Sequence, residues 1–126
     1  MATLTTPIKA VLETGYSAPR FTIKAGDTLP AIRVQIVSAL GAADLTGCTV
    51  VFRFWPAGCC CPTGVVVESV ATIENASKGI VVYEWQDGET DVPGTYGCEW
   101  RVTTADGKRY TAPNDSYDEL QILPQY

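Results

Sequence analysis

The chain has 126 residues, 46% of them hydrophobic and only 18% charged, with a formal net charge of −5. That length suits one domain with a sizeable core, the apolar content excludes a disordered chain, and the lack of any Lys/Arg cluster excludes a nucleic-acid footprint. There is no histidine, which removes the commonest general base and the commonest metal ligand, so the reading turns away from catalysis.

The first twenty residues, MATLTTPIKAVLETGYSAPR, lack the basic start and continuous apolar centre of a secretory signal, and no stretch of the chain approaches the ~20 apolar residues of a membrane span. Synthesis in the cytoplasm is the expectation. Isolated apolars (Leu4, Ile8, Val11 and Leu12) sit here among Thr and Ala without a sustained period. Residues 1–20 are therefore expected to form an extended N-terminal arm lying on its own domain or on a neighbouring subunit, and residues 21–126 to form the domain itself.

Residues 21–24 read as a short strand. Gly26 and Asp27 make a turn, and Pro30 suits a strand start. From residue 31 to 38, Ile32, Val34 and Ile36 alternate with Arg33 and Gln35, a two-residue period that puts the apolar set on one sheet face. Leu45, inside the turn segment GAADLTG, is a candidate plug for one end of the core. In the next strand Cys48, Val50, Phe52 and Phe54 share a face opposite Thr49, Val51, Arg53 and Trp55. A Pro- and Gly-bounded loop with Cys59, Cys60 and Cys61 follows, then a strand over residues 65–73 and the turn ENASKG.

Residues 79–103 hold the clearest strand signal. Ile80, Val81, Val82, Tyr83 and Trp85 are the β-branched and aromatic types that fit a pleated, half-buried surface. An acidic turn with Glu84, Asp87, Glu89 and Asp91 ends the run and reads as solvated. Tyr96, Cys98, Trp100 and Val102 then alternate with Gly97, Glu99, Arg101 and Thr103. Asp106-Gly107 is a hairpin turn, residues 109–111 pair back, and the last strand carries Leu120 and Ile122 inward. About seven to nine strands, separated by turn signals every 8–12 residues or so, predict an antiparallel Ig-like β-sandwich. The expected core includes Ile32, Val34, Ile36, Phe52, Phe54, Tyr96, Cys98 and Trp100.

Tyr96 stands two residues before Cys98, the spacing of the tyrosine corner of immunoglobulin-type domains. Five cysteines cannot all pair within one chain, and a cytosolic chain favours two buried free thiols over a Cys48–Cys98 bridge. Adjacent cysteines such as 59–61 point apart and lack Cys-x2-Cys spacing, so no metal or redox centre is expected there; the loop is read as a contact tip, with inter-chain disulfides in an extracellular particle as the alternative. The spacing of the acidic turn is not that of a calcium loop. No cofactor is expected. Trp55, Trp85 and Trp100 offer a carbohydrate platform as an alternative. By phase, Trp100 belongs to the core, while Trp55 and Trp85 lie opposite their strands' core sets.

Five phrases in order, FTIKAGDTLP (21–30), DLTGCTV (44–50), GIVVYEW (79–85), GTYGCEW (94–100) and PNDSY (113–117), resemble small tailed-bacteriophage virion domains related to the N-terminal domain of upper baseplate proteins. Ser116 departs from the glycine frequent in that family, and the triple-cysteine loop has no counterpart in it. The resemblance implies a non-enzymatic virion structural protein of the tail or baseplate, working through subunit contacts in particle assembly. It implies other virion proteins as partners, a homo-oligomer, and no nucleic acid or membrane. A capsid decoration or cement protein is the alternative, and a carbohydrate-binding module for host adsorption the alternative of another class. Expected contact residues are Leu4, Ile8, Val11, Leu12, Trp55, Cys59, Cys60 and Cys61.

Overall fold

The computed structural model describes residues 9–12, 20–38, 41–57, 67–113 and 118–125. Among them are eleven strands: β1 (Lys9–Leu12), β2 (Arg20–Lys24), β3 (Ile32–Ser38), β4 (Gly41–Ala42), β5 (Thr49–Pro56), β6 (Val67–Val70), β7 (Thr72–Asn75), β8 (Ile80–Tyr83), β9 (Gly94–Thr103), β10 (Arg109–Ala112) and β11 (Asp118–Leu123). One sheet runs β1-β3-β8-β7 with β4 also on β3, and the other runs β2-β11-β9-β5-β6 with β10 also on β9. The chain is a β-sandwich, as the alternation predicts. One pairing departs from the antiparallel rule: β2 lies parallel to β11, Phe21 against Leu120 and Ile23 against Ile122.

The count exceeds the expected seven to nine for three reasons, the first being that Gly41 and Ala42, inside the segment read as a turn, pair with β3 as β4. Residues 9–12, placed in the arm by sequence, form edge strand β1 on β3 of their own domain, and Arg20 already belongs to β2. The run read as one strand over 65–73 is two strands in different sheets, β6 on β5 and β7 on β8. The chain changes sheets at Ala71, which is buried and whose amide donates to the Val50 carbonyl.

Both sheets turn their apolar rows inward. Ile32, Val34, Ile36, Val81, Tyr83 and Trp85 from one side meet Val50, Phe52, Phe54, Cys98, Trp100, Val102, Leu120 and Ile122 from the other, all buried. Phe52 is the centre of an aromatic cluster, with ring centroids 4.6 Å from Trp100, 4.7 Å from Tyr83 and 6.0 Å from Trp85. Such pairs contribute about 0.5–1.5 kcal/mol each beyond the area they bury. Trp85 is 5% exposed, which corrects its expected outward position: β8 ends at Tyr83, but the inward phase of Val81 and Tyr83 carries on one step to Trp85. Tyr96 is half-buried and packs against the core's edge.

Turns are fixed by side-chain bonds. Leu45 is fully buried, and Asp44 accepts from both the amide (3.0 Å) and hydroxyl (2.6 Å) of Thr46. The ENASKG segment is a 3-10 turn, Ala76–Lys78, capped by the Asn75 side chain and closed by Gly79 at φ 69°. A Cβ at Gly79 would stand 2.7 Å from the Ile36 carbonyl oxygen and 2.8 Å from that of Ala43, so only glycine allows that approach.

Candidate interaction surfaces

The strand directions collect loops at two ends of the sandwich. One end holds the β2–β3 loop, the β8–β9 loop and the tail of β11. There the Gly26 amide donates to the Thr90 carbonyl at 3.1 Å, and the Thr90 hydroxyl donates to the Asp27 carbonyl at 2.7 Å. Thr90 is buried by this clamp. Gln125 joins it, its Nε2 donating to the Ala25 carbonyl and to Asp27 Oδ1, both at 3.1 Å.

Glu89 corrects the expectation of a wholly solvated acidic turn. Its carboxylate is half-buried and accepts the Tyr83 hydroxyl at 2.6 and 2.7 Å, the Gln86 amide at 2.7 Å and, more weakly, the Ser69 hydroxyl at 3.5 Å. It thereby ties β8 of one sheet to β6 of the other. Burial, reinforced by the Glu89 hydrogen bond, pushes the Tyr83 hydroxyl far above the usual phenol range, so Tyr83 stays a neutral donor. Glu84, Asp87 and Asp91 are exposed. The Tyr96 hydroxyl donates to the Val92 carbonyl four residues upstream at 2.7 Å, the bond that defines a tyrosine corner.

The outer face of the six-stranded sheet carries Trp55. It stands opposite Gly97 in the β5–β9 register and is half-buried. A Cβ at Gly97 would lie 2.8 Å from Cε2, Cζ2 and Nε1 of the indole, so the ring rests flat on the bare strand. Beside it Arg53 bridges Glu68 and Glu99, each at 2.7 Å. On the other sheet Arg33 pairs with Glu74 across β3 and β7. With Trp85 and Trp100 both in the core, a platform of three tryptophans does not form; Trp55 alone faces outward.

Inside, β10 and β11 share one edge of β9, Ala112 opposite Trp100 and Asp118 opposite Cys98. Asp118 begins β11 on the inward face, 9% exposed, and its Oδ2 has no hydrogen-bond partner. Burial pushes its carboxyl up to about 6. Cys98 is a buried free thiol, raised far above its usual range by burial first and then by Asp118. Cys48 is also free and half-buried, raised by burial and by Asp44. No Cys48–Cys98 bridge forms. Sequence reading missed Asp118 and Glu89; for Glu89 its place within one turn of Tyr83 was an available signal.

Of the contact residues named from sequence, Val11 and Leu12 lie in β1 on the edge of the five-stranded sheet, and Trp55 lies on the opposite sheet. Leu4, Ile8, Cys59, Cys60 and Cys61 lie outside the described residues. Among the described residues no group of three or more His, Cys, Asp or Glu could hold a metal ion, and no helix is long and apolar enough to cross a membrane.

No curated protein matches the chain. Among solved structures, the crystal structure of CopC from Methylosinus trichosporium OB3b is similar, with a TM-score of 0.50 and 14% identity over 85% of this chain and 86% of that one. A likeness at that identity concerns the fold alone. The family profile described as the BppU N-terminal domain matches residues 6–116, from just before β1 through β10. On a match of that extent, carried by a β-sandwich, the chain belongs to the BppU N-terminal domain family of phage baseplate proteins.

Proposed function

We propose that the chain is a non-enzymatic structural component of a phage virion, placed at the tail baseplate and working through contacts with other virion proteins as a homo-oligomer. The observation that carries this reading is the family match over residues 6–116. The structure supports it with a rigid scaffold: two sheets closed on an aromatic core, with loops at both ends held by side-chain bonds. The outward Trp55 and the edge strand β1 are contact surfaces of the kind a subunit in a symmetric particle presents. The triple-cysteine loop (Cys59, Cys60 and Cys61) and the apolars Leu4 and Ile8 complete the proposed contact set.

The test is location. Purified particles carrying a tagged copy should show the tag at the tail tip by immuno-electron microscopy. Label over the capsid would favour a decoration protein, and particles free of the chain would overturn the virion reading altogether. Because β1 belongs to the sheet, a truncation that probes the arm should stop at residue 8. Removing residues 1–8 should leave the thermal melt unchanged and reduce incorporation; full incorporation would remove Leu4 and Ile8 from the contact set.

A further inference from the structure

The two ends of the sandwich differ in chemistry. At the far end the loops around Asp44, Ser77 and Asp106 expose small, polar and oppositely charged residues, Lys78 and Lys108 included. At the end clamped through Thr90 exposed aliphatic side chains stand among exposed acidic ones. Only three large hydrophobic residues are exposed among the described residues. Two of them, Leu29 at 74% and Val92 at 65%, lie here; the third, Val70, is on edge strand β6. Leu29 follows Asp27 by two residues and Val92 follows Thr90 by two, so the clamp between Asp27 and Thr90 brings their loops together. Pro30, Pro93 and Pro124 are exposed at the same end, adding apolar surface that offers no backbone donor.

A single exposed aliphatic is ordinary, but apolar residues gathered on one end and rimmed by charge mark a contact surface. The two loops carry charge of one sign, with the exposed Lys24 at the end of β2 beside them. The two loops over residues 25–31 and 84–93 contain five acidic residues (Asp27, Glu84, Asp87, Glu89 and Asp91) and no lysine or arginine. Glu89 is occupied by Tyr83 and Gln86. Glu84, Asp87 and Asp91 make no ion pair with any described residue.

We infer that this end docks a second, different virion protein whose contact face presents aliphatic side chains ringed by lysines and arginines. The inference rests on the virion reading above and adds which surface is used and what chemistry covers it. A second copy of this chain does not fit, because two-fold pairing of the end would bring Asp87 and Asp91 against their equivalents in a desolvated contact. Basic side chains on the partner complement the rim and discriminate against self-association. The surface is preorganised: the Thr90 clamp, the Gln125 bonds and the Tyr96–Val92 bond hold both loops before a partner arrives, which lowers the ordering cost of binding.

The experiment is photo-crosslinking in assembled particles, with p-benzoylphenylalanine placed at Leu29, at Val92 or, as a control on the far end, at Lys108. All three side chains are exposed, so thermal melts should match the parent. Positions 29 and 92 should give a crosslink to a virion chain other than this one, mapped to a peptide containing lysine or arginine, and position 108 should not. Adding Asp87→Lys and Asp91→Lys should lower that yield by about tenfold, the change expected for about 1.4 kcal/mol of lost contact free energy. A crosslinked dimer of this chain, or yields at 29 and 92 no higher than at 108, would overturn the inference while leaving the virion reading intact. A chain absent from the particles would overturn both.

Discussion

Asp118→Asn should change the pH dependence of stability in a definite direction. Asp118 faces inward at the start of β11, opposite the Cys98 thiol, with Oδ2 unpaired and its carboxyl raised to about 6 from 3.8. Its immediate charged neighbours Glu99 and Glu119 belong to the opposite, outer phase of β9 and β11. In the unfolded chain the group ionises near 3.8; in the folded chain it holds its proton until about 6. The folded state therefore binds more protons between these values. This contribution to stability is fully present below 3.8 and is lost as pH rises through about 6. A shift of roughly two units corresponds to about 3 kcal/mol at most. Between about pH 4.5 and about pH 7.5 the recoverable part is about 2 kcal/mol.

Urea denaturation of the wild type and the Asn variant at those two pH values isolates the effect. Burying an amide in place of the acid adds a constant offset, which cancels when the variant's advantage at the higher pH is compared with that at the lower. Asp44 and Asp106 are held below the usual carboxylate range by their hydrogen bonds to Thr46 and Thr104. They titrate under 3.8 and are the same in both proteins. The Asn variant should gain about 2 kcal/mol on the wild type between the lower and the higher pH. Parallel pH profiles, within about 0.5 kcal/mol, would refute the picture of a carboxyl kept in the core without a partner.

Gly97→Ala should destabilise the domain by about 1–3 kcal/mol, because the new methyl enters the space of the Trp55 indole. In a Trp55→Ala background the same change should cost less than about 0.5 kcal/mol, and an equal cost in both backgrounds would mean that the indole does not rest on Gly97. Glu89→Ala should cost about 1–3 kcal/mol in thermal or urea unfolding, since it strands the Tyr83 hydroxyl and the Gln86 amide. Tyr83→Phe should recover part of that loss, and strictly additive effects would exclude a shared bond.

The two-residue period reads the sandwich well where one face is apolar and the other polar. Ile32, Val34 and Ile36 against Arg33 and Gln35 leave no doubt about phase, and the structure buries that set. The same period hides the crossing between sheets. Val67, Ser69, Ala71, Ile73 and Asn75 are all the less exposed members of their alternation, because both sheets face one core. A chain that leaves one sheet and enters the other at Ala71 keeps its parity, and only its hydrogen-bond partners change. Trp85 was misplaced for a related reason: Ile80 and Val82 make both faces of β8 apolar, so phase there is weak. β1, with four residues, is too short to show a period at all. Asp118 and Glu89 escaped because a charge at a strand start or in a turn reads as solvent-facing, while its burial depends on pairings across the fold.

Several residues within the family phrases stand where residue choice is least free. A strand in this sandwich accepts any β-branched or aromatic side chain of suitable size, so strand identity drifts while the fold persists. A solved structure with 14% identity can therefore share the architecture over most of both chains. Turns tolerate far less. Asp44 must accept from Thr46, Leu45 must fill the end of the core, Gly79 must pass under two carbonyls, and Tyr96 must reach Val92. Each of these residues lies in or beside one of the phrases that carry the resemblance. The end that those constraints leave open holds Leu29, Val92, Asp87 and Asp91, which make no bond that the fold requires of their side chains. Exposed aliphatics cost solubility, and unpaired carboxylates of one sign repel one another, so neither is explained by the stability of the domain. A partner that covers the aliphatics and neutralises the rim accounts for both, which is why that end, rather than the Trp55 face, carries the docking inference.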